Sequence, residues 1–292
     1  MEGLRTARSS ISFSFFSPKQ KKALESIKMI RVAIAGASGR MGRTLLEALK
    51  TREDLSLAGA IVSPGDPVVG TDAGLFSVGK AIGVIATDTL DASSMPFDVL
   101  VDFTTPASAL AHYKFCEMHA IAMVIGTTGF SEDQILSFQK ASVPLVLAAN
   151  MSIGVTVCLK LLKQAASAFG GDVDVEITEA HHRFKKDSPS GTALEMGRVV
   201  ASATDRGLGD CSVFDRSGRL KEREKGTIGF SSLRGGDIIG DHTVMFAGLG
   251  ERVEISHRAT NRMTFASGAL RAASWVVDRK PGLYSMEDVL DL

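Results

Sequence analysis

Short apolar runs alternate with amphipathic segments over the first half of the chain. The apolar runs are rich in Val, Ile, Leu and Ala and predict buried strands at residues 30–35, 55–62, 81–86, 97–102, 121–125 and 143–148. Helical spacing of apolar residues is found between them, at residues 44–49, 107–119 and 131–140. Strands that alternate with helices predict an α/β fold with an N-terminal Rossmann-like, doubly wound parallel sheet.

The pattern changes after Gly154. Helices are predicted at residues 155–169 and 191–203, on either side of a strand at 173–178. Three β-like stretches joined by glycine turns follow, at residues 226–233, 238–247 and 251–257. They predict a C-terminal α+β domain whose open, mainly antiparallel sheet packs on the two helices. The polar, charged segment at residues 205–226 is interpreted as a solvated loop.

Two further helices are predicted at residues 263–277 and 286–290, and they would return to cover the first sheet. We therefore predict one domain formed by residues 29–151 plus about 262–292. A second domain would comprise residues 152–261.

Residues 1–28 differ from the rest because they are basic, rich in serine and poor in acids. Such a start is compatible with an organellar transit peptide. Its apolar centre is short and no cleavage site stands out, which favours a disordered extension or an upstream start before Met29. The fold is therefore expected to begin at Met29.

Composition narrows the class of protein. The formal net charge is +0, so no overall field favours nucleic acid or an anionic membrane, and no apolar run approaches the ~20 residues of a membrane span. The three cysteines, Cys116, Cys158 and Cys211, lack metal-ligand spacing and obvious activating groups. They indicate buried thiols in a reducing compartment, and we expect a cytoplasmic protein.

A glycine-rich turn follows the first predicted strand and precedes a helix. It runs through Gly36, Ala37, Ser38, Gly39, Arg40, Met41 and Gly42. Strand, glycine turn and helix in this order predict a dinucleotide site, in which the helix N-terminus meets the phosphates. The alternative is an ordinary strand-to-helix turn.

The end of the second strand bears on which dinucleotide binds. An acid there usually bonds the adenosine ribose, and an arginine accepts the 2′-phosphate of NADPH. This chain has Val62 and Ser63 instead. The choice between NADH and NADPH is therefore open, and we expect both to be used.

Other polar or small residues also follow predicted strands, at residues 103–105, 126–128 and 148–151. The carboxyl ends of parallel strands share one edge of the sheet, so these segments should converge on one crevice.

Residues 179–192 combine proton donors with cations. His181 and His182 precede Arg183, Lys185 and Lys186. Histidine is the commonest proton donor near neutral pH, and the cations favour a carboxylate ligand. A second anion-binding site is predicted at the start of the helix that begins with Ser190, Gly191 and Thr192.

Each of these residues also has an ordinary interpretation, as a strand end or a solvent-facing charge. Glu176, Glu179, His181 and His182 do not compel a metal site, and none is predicted. His242 and His257 are interpreted as structural, and His112 and His119 as solvent-facing or packing residues.

Taken together, several motifs resemble those of the 4-hydroxy-tetrahydrodipicolinate (dihydrodipicolinate) reductase family of diaminopimelate and lysine biosynthesis. The resemblance covers residues 29–292 and rests on Lys185 and residues 36–42, 101–104, 126–130, 148–151, 179–183, 188–192, 226–230 and 262–266. The Glu-Ala-His-His string with a later Ser-Gly-Thr is the most specific element.

The resemblance implies a cofactor, a substrate and roles for residues. NADH or NADPH would lie along Gly36, Ala37, Ser38, Gly39, Arg40, Met41, Gly126, Thr127, Thr128, Ala148, Ala149, Asn150 and Met151. The substrate would be a small cyclic imine dicarboxylate bound by His182, Lys185, Gly191 and Thr192. His181 would be the general acid, and Lys185 a second proton donor or a charge stabiliser.

The family is usually a homotetramer held by the second domain, which would bind substrate as well as mediate oligomerisation. The chain departs from the family pattern at Met151 and Phe184, where Phe and His are common, and at Val62 and Ser63. Two alternative hypotheses are that the chain is another two-domain NAD(P)-dependent oxidoreductase acting on a small amino or keto acid, or a cofactor-binding protein without catalytic activity.

Overall fold

The computed structural model describes residues 29–91, 93, 95–218 and 221–292, so the interpretation of residues 1–28 lies outside the described residues. The N-terminal part contains these elements: β1 (Ile30–Ala35), α1 (Arg40–Leu49), β2 (Leu55–Ile61), α2 (Ala73–Ser77), β3 (Ala86–Thr87), β4 (Val99–Asp102), α3 (Pro106–His119), β5 (Ala122–Ile125), α4 (Glu132–Phe138) and β6 (Pro144–Leu147).

The rest of the chain contains a second sheet and a return to the first. Its elements are α5 (Ile153–Phe169), β7 (Asp174–His181), α6 (Gly191–Ser202), α7 (Leu208–Cys211), β8 (Ser212–Val213), β9 (Ile228–Arg234), β10 (Gly240–Ala247), β11 (Arg252–Ala259), α8 (Met263–Val276), β12 (Gly282–Tyr284) and α9 (Met286–Leu290). Among the helices of the described residues, none combines the length and apolarity needed to cross a membrane.

Seven parallel strands form the first sheet, in the order β12-β6-β5-β4-β1-β2-β3. The chain runs outward from β1 to β3 and then returns to the other side of β1 with β4, which creates a topological switch point. The predicted Rossmann-like sheet is confirmed.

The ends of four central strands are aligned. Ala35 pairs with Asp102, Asp102 with Ile125, and Ile125 with Leu147, each the last residue of its strand. The turns that follow these strands therefore start at the same edge of the sheet.

The strand predicted at residues 81–86 is largely wrong, because β3 contains only Ala86 and Thr87. Asp72 accounts for the difference. Its carboxylate accepts hydrogen bonds from the backbone N–H groups of Ile82 (3.0 Å) and Gly83 (2.7 Å), and Gly83 has a φ of 85°. These contacts stabilise a turn where the apolar pattern suggested a strand.

The second sheet is open and has the order β11-β10-β7-β9-β8. β10 is antiparallel to β7 and β11, whereas β9 is parallel to β7 and β8. The predicted open, mainly antiparallel sheet is confirmed, with parallel pairings toward one edge. The parallel pair arises because α6 carries the chain across between β7 and β9, as a parallel connection requires. α7 and β8 lie in the segment 205–226 that was interpreted as a loop.

The C-terminal segment completes the first sheet. α8 packs against α1, β4, β5 and β6, and β12 extends the sheet beyond β6. The buried residues of α8 join one apolar core with Val32, Val99 and Val124 of the central strands. The exact domain boundaries stay a prediction.

α8 approaches the first sheet closely at Gly268. A Cβ atom there would lie 1.8 Å from the carbonyl oxygen of Met151, a backbone atom that cannot move away alone. Gly268→Ala should therefore lower the free energy of unfolding by about 1–3 kcal/mol or more, as overpacked cores do. Urea denaturation measures this loss.

The matched control is Gly171→Ala, because a Cβ at Gly171 meets nothing within 4 Å. Equal stability of the two variants would contradict the close packing of α8.

Candidate active site

The glycine-rich turn is tied to the neighbouring strand. The N–H groups of Gly36 and Ala37 both donate to the carbonyl oxygen of Ile61, at 2.9 and 3.0 Å. Gly36 has a φ of 81°, and a Cβ on Gly42 would lie 2.1 Å from the Gly36 oxygen. Both glycines are thus required by the backbone path.

The N-terminus of α1 is open to an anion. Gly39 caps the helix without a side-chain hydrogen bond, and the first turn contains no acidic residue. Gly39 and Arg40 are exposed there, whereas Ala37 is buried. Open N–H groups and a positive helix end fit the phosphates of a dinucleotide.

A buried carboxylate organises the next strand ends. Asp102 is 0% exposed, and its Oδ1 accepts from Thr104 Oγ1 (2.8 Å) and Thr127 Oγ1 (2.7 Å). Its Oδ2 lies 2.5 Å from Nδ1 of His112. Asp102 thereby fixes the turns after β4 and β5, and His112 is its partner rather than a solvent-facing residue.

Asn150 connects the first sheet to the second. Its Oδ1 accepts from the N–H of Ser152 (2.9 Å), and its Nδ2 donates to Oγ1 of Thr192 (3.1 Å). The turn after β6 is therefore hydrogen-bonded to the first turn of α6.

The strand before the histidine pair is longer than predicted. β7 runs through His181 instead of ending at residue 178, because it is the central strand of its sheet. Ala180 pairs with Asp241 of β10 on one side, and His181 pairs with Arg234 of β9 on the other. His181 is therefore held at a strand end rather than in a loop.

Glu179 is a buried carboxylate with four donors around it. It is 1% exposed, and Arg234 binds both of its oxygens at 2.8 Å. Its Oε2 lies 2.6 Å from Nδ1 of His181, and its Oε1 accepts from the N–H of Ser190. Burial opposes ionisation, but the hydrogen bonds from Arg234, Ser232 and His181 outweigh it and lower the pKa of Glu179 to about 2.

The ionised Glu179 determines the protonation pattern of His181. A carboxylate can only accept, so Nδ1 of His181 carries a proton and Nε2 is left for a ligand. Burial lowers the pKa of His181 from 6.5; Glu179 opposes this, and the charges of Lys185 and Arg234 add to it. The free protein thus contains a neutral imidazole that a bound anion would make more basic.

The other residues predicted in segment 179–192 have different contacts and exposures. Nζ of Lys185 lies 2.9 Å from Oδ1 of Asp187. His182 is half-buried beside Phe184, and its Nδ1 has no hydrogen-bond partner among the described residues. Phe184 is 79% exposed.

The first turn of α6 presents open backbone. Ser190 caps the helix by accepting from the N–H of Ala193 (3.1 Å). A Cβ on Gly191 would meet no atom within 4 Å in the part of the chain that the structure describes. The helix N-terminus at Gly191 and Thr192 is therefore accessible to a carboxylate.

One cavity of about 640 Å³ lies between the strand ends of the first sheet and residues 181–192, which begin at the end of β7 of the second sheet. Its lining residues include Thr128, Ala148, Ala149, Asn150, His181, Lys185, Asp187, Ser190, Gly191, Thr192, Ser285, Met286 and Glu287. This volume is within the usual range for sites that bind small molecules and cofactors.

Comparison with known families decides the relationship. Residues 30–151 match the family described as dihydrodipicolinate reductase, N-terminus, and residues 154–290 match dihydrodipicolinate reductase, C-terminus. The chain belongs to the dihydrodipicolinate reductase family. The resemblance inferred from the motifs is confirmed.

Solved structures agree with this assignment. A dipicolinate-bound dihydrodipicolinate reductase from Paenisporosarcina sp. TG-14 matches 88% of this chain and 97% of that chain, at 26% identity and a TM-score of 0.70. A protein of gentamicin A biosynthesis in complex with NAD matches 90% of each chain at 15% identity (TM-score 0.58). An amine dehydrogenase from Mycobacterium smegmatis matches 88% of this chain and 95% of that chain at 15% identity (TM-score 0.54). The last two show the fold alone.

The reductase fold brings together part of the predicted site. The cavity joins Thr128, Ala148, Ala149 and Asn150 of the predicted cofactor set with His181, Lys185, Gly191 and Thr192 of the predicted catalytic and substrate set. Its lining does not include the glycine turn, Gly126, Thr127, Met151 or His182. Met151 is 1% exposed and packs in the core, and Thr127 binds Asp102 beneath the surface.

Arg234 and the C-terminal residues around Met286 were not predicted as part of the site. His242 was interpreted as structural because no cation cluster lies near it in the sequence. In the fold it pairs across the sheet with Glu179, and its Nε2 is 2.9 Å from Oγ of Ser190. Across residues 29–91, 93, 95–218 and 221–292, no group of three or more His, Cys, Asp or Glu side chains could hold a metal ion.

His242 makes stability depend on pH. Burial, followed by the charge of His181, lowers the pKa of His242 from 6.5 to about 4. The unfolded chain therefore binds more protons between these values, so the stabilisation is complete above pH 6.5 and is lost as the pH falls towards 4. From about pH 7 to about pH 5 this group should remove about 2 kcal/mol.

His242→Gln should flatten that part of the profile, since glutamine does not titrate. Urea denaturation at several pH values, at one protein concentration, compares the two proteins. Parallel profiles would contradict the assignment of a neutral buried imidazole to His242.

Proposed function

We propose that this protein reduces 4-hydroxy-tetrahydrodipicolinate to tetrahydrodipicolinate with NADH or NADPH, in diaminopimelate and lysine biosynthesis. The observation that carries the proposal is the shared cavity, in which His181 and Lys185 face the strand ends of a dinucleotide-binding fold. The related Paenisporosarcina enzyme binds dipicolinate, a cyclic dicarboxylate, which supports a substrate of the same shape and charge.

Two features of the cavity suit a dicarboxylate. Lys185 provides a cation, and the open N-terminus at Gly191 and Thr192 provides backbone N–H donors. A carboxylate bound at a helix N-terminus gains from both the donors and the helix dipole. Lys185 then stabilises the charge of the substrate or acts as a second proton donor. His182 is the weakest member of the predicted substrate set, because it does not line the cavity.

The cofactor, when bound, supplies a hydride, and the glycine turn and the open end of α1 would hold its phosphates. Loss of the substrate hydroxyl as water leaves a conjugated ring, to which a hydride and a proton add. His181 is placed to donate that proton from Nε2, because Glu179 occupies Nδ1. The dianionic substrate raises the basicity of His181 and so loads it with the proton that it transfers.

Asn150 and Glu179 position these groups without being the proton source. Asn150 hydrogen-bonds Thr192 and so keeps the N-terminus of α6, where the substrate carboxylate would bind, next to the turn after β6. Glu179 holds the imidazole of His181 in one orientation and one tautomer. A homotetramer and a cytoplasmic location belong to the same proposal, and light scattering of the purified protein measures the first.

The direct test uses the synthase that precedes this step in the pathway and forms the substrate from pyruvate and aspartate semialdehyde. Its product is supplied to this protein, and oxidation of NADH or NADPH is followed. We expect loss of reduced-nicotinamide absorbance only when synthase, both its substrates and this protein are present. Oxidation with small keto or amino acids but not with the synthase product would support another oxidoreductase. Cofactor binding with no oxidation of any substrate would point to a non-catalytic protein.

His181→Ala should lower kcat by about 10²–10⁴-fold, because it removes the general acid. KM should change much less, since Lys185 and the α6 terminus still bind the substrate. His119→Ala is the matched control, because His119 is exposed at the end of α3. A raised KM with kcat unchanged would assign His181 to binding instead.

The pH profile gives an independent readout of the same residue. Burial lowers the pKa of His181 below 6.5 in the free enzyme. In the wild type, kcat/KM should therefore fall as the pH rises through this lowered pKa. The fall in kcat should occur at higher pH, because the bound dianion raises the pKa of His181. If the falls in kcat/KM and in kcat both persist in the alanine variant, His181 is ruled out as the titrating acid.

A further inference from the structure

A carboxylate lies beside the glycine-rich turn, a few residues after the end of β2. Oδ2 of Asp66 accepts a 2.7 Å hydrogen bond from Oγ of Ser38, which is part of the turn. β1 and β2 are adjacent and parallel, so their following loops are neighbours at the ligand-binding edge. Asp66 thus reaches the turn that β1 and α1 form for the dinucleotide.

The Asp66 side chain is held in place. Its Oδ1 accepts from the N–H of Val68 at 3.0 Å, and the residue is half-buried. The hydrogen bonds from Ser38 and Val68, with the nearby charge of Arg43, hold the pKa of Asp66 below its usual range. An ionised carboxylate has about four acceptor positions, and these two hydrogen bonds leave capacity for further donors.

Parallel dinucleotide-binding folds commonly use an acid after the second strand to accept the adenosine ribose hydroxyls. The same charge disfavours the 2′-phosphate that distinguishes NADPH. Val62 and Ser63 cannot act in this way, and Val62 is 4% exposed. Asp66 supplies the missing charge from further along the loop.

Arg43 contacts the same turn. Its Nε donates to the carbonyl oxygen of Ser38 (2.8 Å) and its Nη1 to that of Phe76 (2.6 Å), with the guanidinium 5.5 Å from the Phe76 ring centroid. These contacts fix the guanidinium on backbone carbonyls of the protein. Two of its five donors are therefore already used, and they support the turn.

We propose that Asp66 accepts the adenosine ribose hydroxyls of the cofactor and selects NADH over NADPH. The inference rests on the proposed function only for the presence of a dinucleotide. The expectation that both cofactors are used depended on the lack of a charged partner at residues 62 and 63. The contact between Asp66 and Ser38 removes that premise.

The test is direct binding of each reduced cofactor to the free enzyme, followed by nicotinamide fluorescence without any substrate. The wild type should bind NADH about 10–100-fold more tightly than NADPH, the range expected for a charge-assisted hydrogen bond. Asp66→Asn should bring the ratio of the two dissociation constants close to one. Asp88→Asn is the matched control, because it removes an exposed carboxylate just beyond β3 and should leave the ratio unchanged.

A merely structural role for Asp66 predicts a different result. Loss of the loop's shape would weaken both cofactors by the same factor, and an unchanged ratio in Asp66→Asn would overturn the inference. Equal wild-type affinities, or tighter binding of NADPH, would also overturn it while leaving the proposed reduction intact. Binding of neither cofactor by the wild type would overturn both.

Discussion

The ion pair between the half-buried Arg234 and the buried Glu179 is the interaction on which the second sheet and its candidate site both depend. Glu179 is on the central strand, where an unpaired charge would be strongly unfavourable, and removal of one partner of such a pair typically costs about 3–5 kcal/mol. Arg234 satisfies both carboxylate oxygens from the neighbouring strand. The ionised carboxylate then orients His181 and accepts the Ser190 N–H at the start of α6. The same pair therefore stabilises the sheet and places the His181 imidazole beside the N-terminus of α6.

The first sheet uses a related arrangement at its own edge. Asp102 is fully buried at the end of β4, and its hydrogen bonds from two threonines hold the turns after β4 and β5. Each sheet thus ends in a carboxylate that faces inward and organises the backbone around it. The Asn150–Thr192 hydrogen bond joins the two edges across the cavity between them.

The sequence was sufficient for features that depend on local pattern. The glycine turn, the alternation of strands and helices, and the helix at Gly191 follow from neighbours along the chain, and the structure agrees with them. It was insufficient where strand pairing decides the outcome. β7 extends to His181 because two strands flank it, and β9 is parallel to it because α6 crosses between them.

The same limit explains the contacts that were not predicted. His242 is opposite Glu179 only through the register of β10, and Asp66 acquires a role only through its contact with Ser38. Neither position has a signal in its own sequence neighbourhood. Long-range register and loop folding, rather than propensity, determine these parts of the site.

The return of α8 and β12 has a consequence for synthesis on the ribosome. The second sheet is encoded within one continuous stretch, whereas the first sheet lacks its edge strand and one packing helix until Tyr284 has been added. The nascent chain therefore completes the histidine-bearing sheet before the dinucleotide-binding sheet, although the latter begins first. Until then, the surfaces of β4, β5 and β6 that α8 covers stay exposed.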